Sequence, residues 1–199
     1  MKKITCLIFA IILCLLGISA SAVSYTVVPG DSMWKIAVRH QIGLDEIIAA
    51  NPQISNPNLI YPGQILEIPL LNTQVTSYEQ QVIDLVNEVR VKNGLKALSP
   101  NWELSRVARY KSQDMHDKKY FSHTSPTYGS PFDMIKNFGI SYRAAAENIA
   151  KGQRTPQEVF QAWMNSSGHR QNILNGSYTQ IGVGYVADGN YWTQLFIKP

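Results

Sequence analysis

Cysteine is almost missing from this chain: of its 199 residues only Cys6 and Cys14 carry a thiol, and both fall in an N-terminal stretch that reads as an export signal. Lys2 and Lys3 form a positive start, "LIFAIILCLLGI" is the apolar centre, and Ala20-Ser21-Ala22 is a small-residue cleavage site. Cleavage after Ala22 leaves 199 − 22 = 177 residues with no thiol. Disulfides, thiolate catalysis and cysteine metal sites are then excluded from the mature protein. Cys14 has no small residue before it, so a lipid-modified cysteine is not expected. A second long apolar run is missing too, so no transmembrane segment is expected after signal cleavage. Charge of either sign is sparse. The 18 basic residues less Lys2 and Lys3 are 16, against 14 acidic, for a net +2. That is too mild for a nucleic-acid partner and compatible with an anionic cell-wall surface. Internal repeats, low-complexity tracts and H-E-x-x-H spacing are all absent from the sequence.

Two units are present. Residues 23–70 form a small one closing in "GQILEIPL", 71–77 ("LNTQVTS") reads as a polar linker, and 78–199 carries a longer mixed pattern. In the small unit "YTVV" is a β-rich run halted by Pro29-Gly30, and Asp31-Ser32 offers a helix N-cap. "MWKIAVRH" has helical apolar spacing, Gly43 breaks it, "LDEIIAAN" is a second helix ended by Pro52, and "LIYPGQILEIP" is extended. The order is β-α-α-β.

These residues, "YTVVPGDSMWKIAVRH" and then "IIAANPQISNPNLIYPGQILEIP", resemble a LysM domain over its whole length. The resemblance implies binding of glycans that contain N-acetylglucosamine, such as peptidoglycan or chitin. It places the glycan site on Gly30, Asp31, Ser32 and Met33 from one loop and Leu59 and Ile60 from another. Each also has a purely structural use: Gly30 in the turn, Asp31 and Ser32 as caps, Ile60 in the core. The "SNPNLIYPGQ" stretch is similar to LysM modules of endospore-forming bacteria, so a spore envelope is one expected location and a role in sporulation one expectation.

The larger unit opens on "TSYEQQVIDLVNEVRVKNG", where Thr76 and Glu79 suggest a capping box and Gly94 a stop. Ser99-Pro100, Ser130-Pro131 and Thr155-Pro156 suggest three further helix starts. The tail "IGVGYVADGNYWTQLFIKP" reads as a β-hairpin turning at Asp188-Gly189. Helices early and strands late predict an α+β fold, an antiparallel sheet covered by helices. Arg106, Arg109, Lys111, Lys118 and Lys119 read as a solvated helix face, and His116 as exposed. His40 ends a helix of the small unit. His123, in "YFSHTSP", and His169, in "NSSGHRQNIL", belong to no amphipathic stripe. Glu147, in "AAAENIAKG", is a carboxylate among small and apolar residues of an expected strand.

"YFSHTSP", "AAENIAKG", "AWMNSSGHRQNIL" and "IGVGYV" resemble, in order, the CAP superfamily of cysteine-rich secretory, antigen 5 and pathogenesis-related proteins, and its cysteine-free bacterial branch most closely. The resemblance implies a three-layer α-β-α sandwich with His123, Glu147 and His169 around a central cleft. Many eukaryotic members carry a second cleft glutamate three residues after the tryptophan matching Trp163. Here that position is Ser166, which leaves chemistry needing two carboxylates without its second group.

Three uses of the trio stay open. His123 and His169 suit a divalent cation such as Zn²⁺, as the resemblance implies for some members. Glu147, with the two histidines, suits acid–base catalysis on a glycan. The third use is support of the fold. Arg170, Asn148 and Asn172 are expected to be structural, Trp163 to be core, and Gly182 and Gly184 to permit close helix–strand approach. The expected protein is secreted, bound to peptidoglycan in the cell wall or spore envelope, with envelope proteins as further partners and a binding or assembly role. The alternative is a peptidoglycan-modifying hydrolase or lyase.

Overall fold

A computed structural model describes residues 22–199; apart from Ala22, the expected signal segment lies outside the described residues. The small lobe is β1 (Ala22–Thr26), α1 (Met33–Arg39), α2 (Leu44–Ala49) and β2 (Ile65–Pro69), with β1 and β2 antiparallel and Tyr25 opposite Leu66. Val27, Met33, Ile36, Ala37, Ile42, Ile47, Leu66 and Ile68 make its core. Gly30 takes φ +87° in the turn before α1, a conformation that costs glycine little. Ser32 caps α1 by accepting from the Lys35 N–H. Buried Asn51 ties the end of α2 to β2, donating to the carbonyls of Ile47 and Glu67 and accepting from the Glu67 N–H.

The large domain is α3 (Thr73–Lys92), β3 (Ser99–Pro100), α4 (Trp102–Asp117), α5 (Pro131–Asn137), β4 (Ala144–Lys151), α6 (Pro156–Asn165), α7 (Ser167–Ile173), β5 (Gln180–Val186) and β6 (Tyr191–Lys198). The sheet order is β3-β5-β6-β4, antiparallel except for the short β3–β5 pair. Strand side chains alternate between faces. Leu195 and Ile197 therefore pack with Leu104, Val107 and Ala108 of α4 and with Met134 and Ile135 of α5. Trp192 and Phe196 pack the other way, against Val82 and Val86 of α3, Trp163 of α6 and Ile173 of α7. The α+β prediction and the sandwich both hold. Gly182 and Gly184 face α4 so closely that a Cβ would lie 2.4 Å and 2.1 Å from its backbone.

Ser130 and Thr155 cap α5 and α6 as expected; the Glu158 carboxylate accepts from the Arg154 N–H, one residue before the cap. Three expectations change. Residues 73–77, read as linker, are already helical: α3 starts at Thr73 under an Asn72 cap, and Glu79, far from capping it, is buried against Arg109. Ser99-Pro100 does not start α4; it pairs with β5, and Asn101 caps the helix. The basic cluster is a solvated face only at its end: Lys118 and Lys119 are exposed, but Lys111 is 1 % exposed and Arg106 and Arg109 sit in ion pairs with Glu46 and Glu79. Half-covered His116 likewise bridges Asp117 and Asp188 and meets the Tyr191 ring edge-on.

Arg106 also joins the two lobes. Its Nε donates to Glu46 at 2.7 Å, and its guanidinium lies over the Tyr110 and Phe138 rings. A Cβ on Gly43 would collide with that guanidinium at 2.1 Å. Only residues 70–72 separate β2 from α3.

Candidate functional site: a histidine–glutamate cleft at the sheet edge

β4 is an edge strand, and successive residues on it serve opposite faces of the sheet. Glu147 points to the α4 side, where its Oε1 lies 2.7 Å from His123 Nδ1. Asn148 points to the other side and donates to the His169 carbonyl, while Asn172 donates to the Asn148 side-chain oxygen. The cleft is thus assembled over one strand edge from a loop above and α7 below.

The Glu147 side chain is 2 % exposed, whereas the His123 ring is 54 % exposed. With the carboxylate ionised, Nδ1–H of His123 donates to it, and Nε2 is left as the ring's free acceptor. His169 is the third residue of α7 and makes no side-chain hydrogen bond to either partner among the described residues. Burial, and then the nearby His123, push its pKa below the ordinary histidine range. A neutral imidazole follows at neutral pH. In front of Glu147 a hollow of about 460 Å³ is bordered by His123, Thr124, Phe132, Asn172 and Tyr178. His123 and Glu147 therefore touch directly, and His169 joins them as an electrostatic neighbour. Among the described residues no second carboxylate borders the hollow, and no group of three or more His, Asp or Glu is placed to hold a metal ion.

Two buried cations that the sequence did not disclose hold the walls. Lys111, on α4, donates its three N–H bonds to the Tyr120 hydroxyl and to the carbonyls of Ser122 and His123, at 3.1, 2.8 and 2.9 Å. Burial pushes its pKa down, while Glu147 and Asp114 hold it up. One turn on, Asp114 accepts from Tyr120, Ser125 and Thr127. Burial works against its ionisation, but those three hydroxyls more than offset it, and its pKa lies below the usual range. Ser125 and Ser122 are occupied inside the loop, so neither is paired to His123. On the opposite face Arg90 donates to the carbonyls of Lys96, Ile173, Asn175 and Tyr178, fastening the end of α7. Arg170, Asn148 and Asn172 bond carbonyls and amides around the cleft as expected.

In the small lobe the segments flanking the two expected glycan loops are joined by backbone bonds between Val27 and Gln64 and between Gly63 and Val27. Gly30 is exposed at the surface. The Asp31 carboxylate is occupied by Tyr25, the Val28 N–H and Arg39. Ser32 is the helix cap, Met33 is buried, and Ile60 packs on the lobe's core. Leu59 is 51 % exposed, and so are Tyr61 at 56 % and Trp34 at 61 %, two aromatic groups the motif reading passed over. Their signal was available: large rings at positions flanking, not within, the apolar stripes.

Two family models match: the cysteine-rich secretory protein family (CAP) over residues 83–196, and the LysM domain over residues 25–69. The uncharacterized protein YkwD of Bacillus subtilis is 63% identical over 125 residues, which is 63% of this chain and 49% of that protein. The uncharacterized membrane protein YlbC of the same organism is 40% identical over 140 residues, 70% of this chain and 40% of that one. A crystal structure of an extracellular protein containing a SCP domain, from Bacillus anthracis, superposes with a TM-score of 0.61 at 34% identity, covering 69% of this chain and 47% of that one. The chain spans half or less of the length of each of these relatives.

Proposed function

Because the chain belongs to the CAP family and carries a LysM domain ahead of that fold, we propose that it is an exported envelope protein that attaches to peptidoglycan and displays the histidine–glutamate cleft there. LysM domains bind N-acetylglucosamine-containing glycans. The observation that carries the reading is the pair of adjoining loops in the small lobe, which leaves Gly30, Leu59 and Tyr61 uncovered. Sugar rings are held by an apolar floor beside polar groups, and exposed Leu59 and Tyr61 supply the floor. The role is one of binding and assembly, with other envelope proteins as partners. A spore envelope is one wall of this kind, and presence of the protein only in growing cells removes it. The full chain is expected to co-sediment with purified sacculi, and Leu59→Asp to weaken this without loss of folding. Failure of the wild-type chain to sediment with any sacculus preparation overturns the reading.

A second reading of the cleft rests on the His123–Glu147 pair. A shielded carboxylate bonded to an exposed imidazole suits proton transfer, which makes a peptidoglycan hydrolase or lyase the alternative. With one carboxylate at the hollow, the ordinary two-carboxylate glycosidase route has no second group. The same pair suits a divalent ion such as Zn²⁺: His123 Nε2 and the neutral His169 ring would be its two protein ligands, with Glu147 orienting His123 from behind. Such an ion would polarise a bound water. Soluble products released from sacculi by the wild type and lost in Glu147→Gln select the enzyme. Equal, null release from both discards it.

A further inference from the structure

We infer that Lys111, with Asp114 beside it, is a positioning residue for the cleft, holding the His123 loop at the height where the ring meets Glu147. His123 sits on a segment between α4 and α5 that has no ladder partners among the described residues apart from the Ser125–Gly129 bridge, so regular structure does not place it. What places it is one turn of α4. Lys111 grips the carbonyls of Ser122 and His123, the residue itself and its neighbour, and Asp114 grips the hydroxyls of Ser125 and Thr127 on the far side. Tyr120 links the two grips, accepting from Lys111 and donating to Asp114. Every N–H of the ammonium is engaged by this segment, and Lys111 is 1 % exposed. A buried charge with such a complete set of partners is costly to disturb. The loop is therefore fixed on both sides of the ring, and the His123–Glu147 distance follows from α4 and not from the loop's own conformation.

Two consequences separate positioning from simple support. The clamp bonds the backbone of His123 and never its ring, so its effect on the ring is read through the tautomer. With the loop in place, Nδ1–H is fixed on Glu147 and Nε2 faces the hollow. With the loop released, the ring samples both tautomers in water. The assignment concerns the pair itself and stands whether or not the small lobe binds wall glycan.

The test is ¹⁵N NMR of the His123 ring in the full chain, with amide exchange across residues 120–128. In the wild type, Nδ1 is expected to be protonated and hydrogen-bonded. In Lys111→Met, the ring nitrogens move towards averaged values and amide exchange in the loop rises about tenfold or more, while β5 and β6 keep their protection. A folded Lys111→Met with wild-type ring nitrogens and wild-type exchange overturns the assignment. If that variant does not fold, Tyr120→Phe decides: it removes the link and keeps the ring of Tyr120. A smaller shift in the same direction supports the clamp, and unchanged His123 signals refute it.

Discussion

In the LysM lobe the charged hub joins residues close in sequence and opens to solvent through half-exposed Arg39: the covered Asp31 carboxylate meets Tyr25, Val28 and Arg39, with no pair more than 14 residues apart. In the CAP domain the hubs are buried and reach across the chain. Arg90 bonds the Tyr178 carbonyl 88 residues away, and Glu79 accepts from the Tyr185 N–H 106 residues away. The difference separates two ways of presenting loops. An ion pair with one partner open to water contributes less, because solvent screens it and the exposed cation is hydrated without its partner. A buried cation whose partners are carbonyls leaves those carbonyls unpaired when it is removed, and the whole desolvation penalty appears at once. The small lobe displays a surface, whereas the large domain assembles a site.

The largest effect is expected where this contrast is greatest. Arg90→Leu should destabilise the CAP domain by about 3–5 kcal/mol, since four carbonyls lose their donor at once. Denaturant unfolding followed by tryptophan fluorescence measures it, and a loss below about 1 kcal/mol, the usual size of a surface pair, breaks the contrast.

A second, smaller effect is the pH dependence of His169. Its folded pKa is depressed by burial and by His123, so the unfolded state binds more protons near the ordinary value of about 6.5. Stability is therefore expected to be full above that pH and to fall as pH drops through it. His169→Asn should flatten this slope. His116, bridged by two carboxylates, carries the opposite sign: Asp117 and then Asp188 raise its pKa, so its contribution is present at low pH and is lost as pH rises through the folded value. Unfolding midpoints between pH 5 and 8 for the two single variants separate the slopes, and slopes of the same sign would remove the distinction between a histidine paired with carboxylates and one without them. The smallest effect belongs to Asp31→Asn, expected to shift the midpoint less than either, because its charged partner Arg39 is half-exposed and stays hydrated without it.

The same contrast explains what could be read before any coordinates. The LysM order, the caps at Ser32, Ser130 and Thr155, and the Asp188-Gly189 hairpin were legible because each is decided within a few residues. Ser99-Pro100 misled because a local cap signal competed with a ladder partner, Gln180, supplied 81 residues later. Lys111 looked like surface charge for the same reason: the carbonyls that claim it belong to a loop whose position only the folded sheet defines. Of the site, His123, Glu147 and His169 could be singled out as poor fits to any stripe, and a family resemblance grouped them. The direct His123–Glu147 bond, and the looser place of His169, required the strand edge.

Helix α4 carries, within three turns, Arg106 for the LysM lobe, Arg109 for α3, Lys111 and Asp114 for the His123 loop, and His116 for the β5–β6 turn. One extra residue in its middle would rotate everything beyond by about 100°, misdirecting several of these attachments together. Insertions are therefore expected to be tolerated in the connections and not within α4, which behaves as a camshaft that cannot slip its phase.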